Sequence, residues 1–517
     1  MKISRLEKIW NESPIILIMF IAIFFRAIAV IFAKGFGMHD DHFLVIEVAQ
    51  SWADGTDYNH WLPGSFGNTG PSGHSYFYVG IHYFILLFFK FLGIADPQIK
   101  MFLVRLLHAA FSLITVYYGY KITEKTSNLK TARIAGLLLA LYFFMPWLSV
   151  RNLVEVVCIP FLILSVWKII KAESIPPSER IPRNYFLNYF IAGILSGLAM
   201  DVRFQSFFFV AGLGLAILLK LRWKEMLALV GGILISFVLL QGITDMFLWG
   251  YPFAEFREYV HYNLVSANSY GSGPWHKYLS LLLGIMIPPV SIFLFIGFFR
   301  TWKKYILIFL PTFIFLLFHS IFPNKQERFI VPVIPFIIIL GMIGWNELVE
   351  KSAFLQRSKG IIKSCWIFFW IINLMLVLVI STMYSKKSRI ESMVYLSKYP
   401  DIGYILIEDT NNGSAKVPPL FYLNQWIYVY EVSKDHPLDT LKPTLLKNGP
   451  LLAPRFILFF DDVNLQQRVD TMKTEYPDIK YETTIEPGII DKVLYWLNPR
   501  NNVNQTIYIY KNTLLKQ

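Results

Sequence analysis

Charge is what this sequence has least of. Only 16% of its 517 residues are Asp, Glu, Lys or Arg, against about a quarter in an ordinary soluble domain. Set beside 55% hydrophobic residues, that shortage excludes a disordered chain, an ordinary nucleic-acid-binding domain and a purely soluble enzyme. Cysteine is nearly missing. Cys158 and Cys365 both sit inside apolar runs, which leaves no disulfide framework and no metal quartet. There is no Gly-rich phosphate loop in the tail at 386–517, and no internal repeat or low-complexity segment in the chain. The histidines offer no clean metal-ligand spacing, His39 with His42 being only suggestive, so no metal site and no cofactor is assigned.

What the sequence has instead is long apolar runs. They occur near 15–34, 75–93, 102–120, 133–150, 152–170, 186–201, 204–221, 225–243, 278–298, 305–322, 329–346 and 361–384, and most approach the roughly 17–25 residues needed to cross about 30 Å of hydrocarbon. The basic N-terminus (Lys2, Arg5, Lys8) leads into the first run, and AKGFGMHDD after it lacks a small-residue cleavage site. The expectation is an uncleaved first span. The net charge of +13 fits the Lys/Arg-rich cytoplasmic loops of a membrane protein and needs no nucleic-acid partner.

The loop charges choose the topology. If 75–93 lies in the membrane surface and does not cross, the cytoplasmic loops hold about 21 basic residues and the opposite loops about seven. If it crosses, the asymmetry reverses. About eleven transmembrane helices, with in-plane helices in the first outer loop, is therefore the expected count. Lys386, Lys387 and Arg389 resist it, since they follow the last span on the outer side, where a long translocated domain obeys the rule weakly.

The expected division is 1–385 in the membrane and 386–517 outside it. In the second part 404–409, 426–432, 456–461 and 505–511 read as strands and 464–476 and 489–497 as helices, a small α/β domain.

With this topology the unusual polar residues gather on the outer face. Asp40 and Asp41 follow the first span, Asp201, Arg203 and Gln205 end the one near 186–201, and Lys325, Glu327 and Arg328 open the one near 329–346. Trp275, His276 and Lys277 occupy a Gly/Pro-rich turn. Each has a bland reading: a solvated acidic turn, an Arg203–Asp201 pair, a Glu327–Arg328 contact, an aromatic belt. Together they have a chemical one. A carboxylate near an apolar interface accepts a proton near neutral pH, and guanidinium groups match phosphate oxygens in a bidentate fork. Glu155 and Arg105 lie within spans, where a structural ion pair and a functional role are equally open. A carboxylate and several cations at one interface suit transfer of a sugar from a lipid phosphate to a hydroxyl: the carboxylate takes the hydroxyl proton and the cations stabilise the leaving phosphate.

Three motifs carry a resemblance. MHDDHFLVIE holds Asp40, Asp41 and Glu47. Asp245, Trp249-Gly250, Tyr262-Asn263 and Tyr270-Gly271-Ser272-Gly273-Pro274-Trp275 follow in order. Asn324-Lys325-Gln326-Glu327-Arg328-Phe329-Ile330-Val331-Pro332 is the third. Over about 20–340 the chain resembles the multi-span GT-C glycosyltransferases, and within them glycosyltransferase family 22, the lipid-phosphate-mannose-dependent α-mannosyltransferases. It departs from that pattern at His39, Asp41 and Gln326.

The resemblance implies a GT-C fold with Asp40 as base and Asp41 assisting. Donor phosphate or sugar would be held by Arg203, Lys325, Arg328, His276 and Gln205, with Glu47, Asp245, Tyr270, Trp275 and Glu327 in support. The expected activity is inverting, metal-independent transfer of a sugar, mannose by the resemblance, from a polyprenyl-phosphate donor. The acceptor would be a glycan, lipid or protein at the extracytoplasmic face, with membrane lipids as surroundings. The reading favours a bacterial inner membrane, with the ER membrane as the eukaryotic counterpart. A lipid-glycan flippase or transporter is the alternative; it would line a mid-membrane path with charge, ideally in repeated halves.

Overall fold

The structure is a computed structural model that describes residues 5–65, 70–268, 271–441, 453–500 and 502–513. It falls into two compact units. The first is Met1–Ala33, His60–Ile85 and Phe102–Thr382; the second is Lys34–Asn59, Leu86–Met101 and Met383–Gln517.

The first unit is helical because its apolar runs must satisfy their backbone groups internally once lipid surrounds them. Among the described residues six helices have the length and apolarity to cross a membrane: Pro14–Phe32, Pro97–Thr126, Pro182–Val202, Trp223–Trp249, Glu327–Lys351 and Lys359–Ser381. Tyr76–Phe91, Phe204–Leu219, Val290–Arg300 and Ile306–Ile321 are shorter apolar helices. Val154–Glu173 has the length but carries Glu155, Lys168, Lys171 and Glu173. The run near 278–298 is broken: Met286, Ile287, Pro288 and Pro289 separate Lys277–Ile285 from Val290–Arg300, since proline removes a helical donor. Tyr76–Phe91 has 16 residues, roughly 24 Å of helix.

Burial separates core from rim. The apolar window of Glu327–Lys351 is 89% buried, those of Pro14–Phe32 and Lys359–Ser381 28% and 22%. The first helix is thus central and the other two present Phe20, Phe24, Phe368 and Leu378 outward, as lipid-facing helices do. Small residues set the closest approaches. A Cβ on Gly193 would lie 2.0 Å from the Leu229 carbonyl oxygen, and one on Gly232 2.1 Å from that of Phe190, so Pro182–Val202 and Trp223–Phe237 meet backbone to backbone. Buried polar groups tie other helices: Arg26 Nε donates to Ser112 Oγ at 2.8 Å and Arg105 Nε to the Val30 carbonyl at 2.9 Å.

The second unit contains a five-stranded sheet: β1 Tyr404–Asp409, β2 Tyr428–Ser433, β3 Phe456–Phe460, β4 Ile479–Ile485 and β5 Ile507–Asn512, in the order β2-β1-β3-β5-β4. β2, β1 and β3 are parallel; β5 is antiparallel to β3 and β4. Helix Leu465–Glu475 closes one face through Val469 and Met472 against Leu406, Ile457 and Phe459. Four strands and both helices fall where the pattern put them. β4, a half-exposed edge strand reading IKYETTI, and helix Lys387–Leu396 carry no clear apolar signal.

Candidate functional site

The candidate residues collect in two places, one in each unit. In the first unit the centre is Glu155, 1% exposed in the first turn of Val154–Glu173. It forms an ion pair with Arg203 and lies 3.4 Å from Arg328 Nε. Arg203 sits where helix Pro182–Val202 ends in extended backbone, and Arg328 in the 3₁₀ turn Glu327–Val333. Two separate chain breaks thereby deliver two guanidinium groups to one carboxylate. The guanidinium carbons lie 5.2 Å and 5.7 Å from the centre of the Phe329 ring. Gln205 accepts from Arg203 and Gln326 Oε1 from Arg328 Nε at 2.9 Å. Burial pushes the nearby Tyr259 phenol up to about 12, opposed by Arg203 and by a hydrogen bond with Gln205, so its hydroxyl stays a neutral donor. The arginine partner is Glu155 and not Asp201. The cluster thus sets two guanidinium groups against one carboxylate, and guanidinium is a group that also matches phosphate oxygens in a bidentate fork.

Lys325 is close by in sequence but differently employed. Its ammonium donates to the carbonyls of His319 at 2.6 Å, Ser320 at 2.7 Å and Phe322, closing the C-terminus of helix Ile306–Ile321. A cation there also meets the negative end of the helix dipole. Burial, then Lys277, holds its pKa below the ordinary lysine value. Lys325→Met is expected to cost about 2 kcal/mol, the order of charged hydrogen bonds lost without replacement. Thermal unfolding in detergent reads it; an unchanged midpoint would remove the cap from the account.

Glu327 contacts Lys277 at 3.4 Å and not Arg328. His276 is the exposed N-cap of helix Lys277–Ile285, its ring 5.6 Å from that of Trp275, itself 68% exposed. Tyr270 lies outside the described residues. Asp245 is fully buried; it accepts from Gln241 Nε2 at 2.8 Å and from the Glu255 backbone N–H at 2.9 Å. Glu255, which motif reading passed over, accepts from Gly73 N–H at 2.6 Å, Ser72 Oγ at 3.0 Å and Trp249 Nε1 at 2.9 Å. Asp245 and Glu255 together pin the 244–265 segment to the Ser72–His74 turn.

In the second unit the two adjacent aspartates separate by role. Asp41 is 2% exposed and accepts the backbone N–H groups of Gly37 and Met38, each at 3.0 Å; it shapes the turn that begins helix His39–His42. Asp40 is half-buried on the same turn. Glu47 is 3% exposed, accepts the Phe421 N–H at 3.0 Å and lies 3.5 Å from His42 Nε2. The His42 ring stacks on Phe36 at 4.8 Å and on Tyr422 at 5.4 Å. The Asp40 turn is therefore held rigidly from beneath. Burial keeps the His39 imidazole below its ordinary pKa, with Asp40 opposing.

Comparison with known proteins places this architecture. The sequence model of the Alg9-like mannosyltransferase family matches residues 16–411. GPI mannosyltransferase 3 of Saccharomyces cerevisiae is 25% identical over 244 residues, which are 41% of this chain and 39% of that protein. The match thus spans well under half of the curated relative. ArnT from Cupriavidus metallidurans, in a structure with undecaprenyl phosphate bound, superposes with a TM-score of 0.64 at 12% identity, over 97% of this chain and 99% of that one. The archaeal oligosaccharyltransferase AglB from Archaeoglobus fulgidus, in complex with an inhibitory peptide and a dolichol-phosphate, gives 0.55 at 11% identity over 90% and 70%. These two likenesses show the fold, that of the GT-C membrane glycosyltransferases.

Proposed function

Because the chain belongs to the Alg9-like mannosyltransferase family, we propose that it moves mannose from a polyprenyl-phosphate donor to a hydroxyl acceptor, with inversion, at the extracytoplasmic face of its membrane. The observation that carries this reading is the buried Arg203–Glu155–Arg328 cluster. Its paired guanidinium groups suit a phosphate monoester, the group that leaves when a lipid-phosphate sugar is attacked. The undecaprenyl phosphate of the ArnT structure and the dolichol-phosphate of the AglB structure support a lipid-linked donor.

In the proposed step the Asp40 carboxylate takes the acceptor hydroxyl proton. The acceptor oxygen forms a bond to the anomeric carbon, and the bond from that carbon to the phosphate oxygen breaks. The lipid phosphate leaves with the electron pair, its charge met by Arg203 and Arg328. Gln205 and Tyr259 orient the arginine side. Asp41 and Glu47 hold the Asp40 turn.

Purified protein incubated with labelled polyprenyl-phosphate mannose, polyprenyl-phosphate glucose and GDP-mannose tests the donor. Loss of sugar from the mannosyl lipid alone is expected; use of GDP-mannose, or of no lipid donor, overturns the reading. Two arginines meeting the leaving charge also predict transfer without a divalent cation. The rate is expected to be unchanged after exhaustive chelation, and a loss restored by added Mg²⁺ or Mn²⁺ would contradict this.

A further inference from the structure

Lys386 and Arg389, the residues that broke the charge asymmetry of the loops, lie at the start of helix Lys387–Leu396 in the second unit. Lys386 is the N-cap, at φ +56°, and no side chain caps the first turn. An uncapped N-terminus offers backbone N–H donors and the positive end of the helix dipole. Within that turn Ser388 is 1% exposed, and its hydroxyl has no hydrogen-bond partner among the described residues. Arg389 is likewise incompletely used. One terminal nitrogen donates to the Val417 carbonyl, while the buried Nε has no partner among the described residues. The Val417 contact brings in the neighbouring Lys416, which stands 4.0 Å from Asp409 at the C-terminal end of β1.

This turn borders the Asp40 segment. The Arg389 guanidinium lies 5.3 Å from the centre of the Phe36 ring and 5.8 Å from that of Phe43, and His39 stacks on Phe43 at 4.4 Å. The preceding chain is fixed there too, since Ser385 N–H donates to the Lys34 carbonyl at 3.0 Å. The sheet adds its own argument. β1 connects to β2 on one side while β3 lies on the other, and the C-terminal ends of parallel strands at such a reversal are where α/β folds place ligands.

We propose that the first turn of helix Lys387–Leu396, with Lys386, Ser388, Arg389 and Lys416, is a second anion site that binds a phosphate group of the acceptor beside Asp40. The acceptor assignment rests on the transferase reading. The anion site itself does not. Three carboxylates also face the cations. Glu47 is held by the Phe421 N–H, Asp409 is shared by Lys416 and Asn412, and Asp491 lies within electrostatic reach of Lys386. Burial and the like charges of Arg389 and Lys416 hold Lys386 below its ordinary pKa, the cost that a bound anion would relieve.

Lysine acylation read by mass spectrometry tests the site without any sugar transfer, so its failure and that of the transferase reading are distinguishable. Full-length protein in phosphatidylcholine nanodiscs is labelled in chloride, and in inorganic phosphate at equal ionic strength. A third sample uses phosphatidylglycerol nanodiscs with no free phosphate. Inorganic phosphate is expected to slow labelling of Lys386 and Lys416 roughly threefold or more by occupancy, relative to the exposed Lys473 and Lys480. Arg389→Gln should cancel the protection and Arg389→Lys restore part of it. Protection by phosphatidylglycerol alone supports the site with a lipid headgroup as the anion. Equal labelling in all three samples, or protection undiminished in Arg389→Gln, overturns it.

Discussion

Asp40→Asn is expected to lower the turnover number by roughly 10²–10⁴, the usual worth of a general base, while donor KM and thermal midpoint stay near wild type. The carboxamide keeps the shape of the side chain and removes only the proton acceptor. Asp40 is half-buried, and burial holds the His39 imidazole beside it below its ordinary pKa. Asp41→Asn should behave in the opposite way. That carboxylate holds the N–H groups of Gly37 and Met38, and its loss is expected to cost about 1 kcal/mol, the worth of a capping residue, with turnover reduced only as far as the turn loosens. Single-turnover kinetics beside thermal unfolding separate the two. A fully active Asp40→Asn would remove it from the mechanism.

The second large effect concerns Glu155. Glu155→Ala leaves the Arg203 and Arg328 guanidiniums without their shared partner, and removing one member of a buried ion pair typically costs about 3–5 kcal/mol. Arg203→Ala should cost less, because Glu155 keeps Arg328 at 3.4 Å. Its principal effect is expected in donor binding, where a charged hydrogen bond is worth about 1.5–3 kcal/mol, or roughly a tenfold to hundredfold rise in donor KM. Thermal unfolding of the three proteins, with donor KM for those that fold, checks the order. A greater loss of stability in Arg203→Ala than in Glu155→Ala would contradict the shared-partner geometry.

Much of this was legible before the structure, and the reason differs from place to place. Apolar runs announce membrane helices because lipid demands them. Strands β1, β2, β3 and β5 announce themselves through aromatic and branched residues. Polar residues at the ends of apolar runs placed Asp40, Arg203 and Arg328 among the candidates, and the motifs repeated Asp40 and Arg328. What the chain could not reveal is partnership. Asp201 is two residues from Arg203 and looks like its counterion; the counterion is Glu155, 48 positions earlier in the sequence. Glu155 was visible as a charge inside a span, yet nothing local says which arginines it meets. Lys325 reads as one more phosphate ligand, but its three protons close a helix end, a geometry set by the turn at Phe322–Asn324. Glu255 and Arg389 match no motif at all. Arg389 left a trace as a positive charge that resisted the expected asymmetry of the loops.

The product anomer tests the central claim most directly. One displacement at the anomeric carbon, with Asp40 as base and lipid phosphate as leaving group, must turn a β-linked donor into an α-mannoside. NMR of the product made by purified protein from β-mannosyl phosphoryl polyprenol reads the configuration. An α-linkage is the predicted result. A β-linkage would require two displacements and a covalent sugar–enzyme intermediate, and would contradict the account.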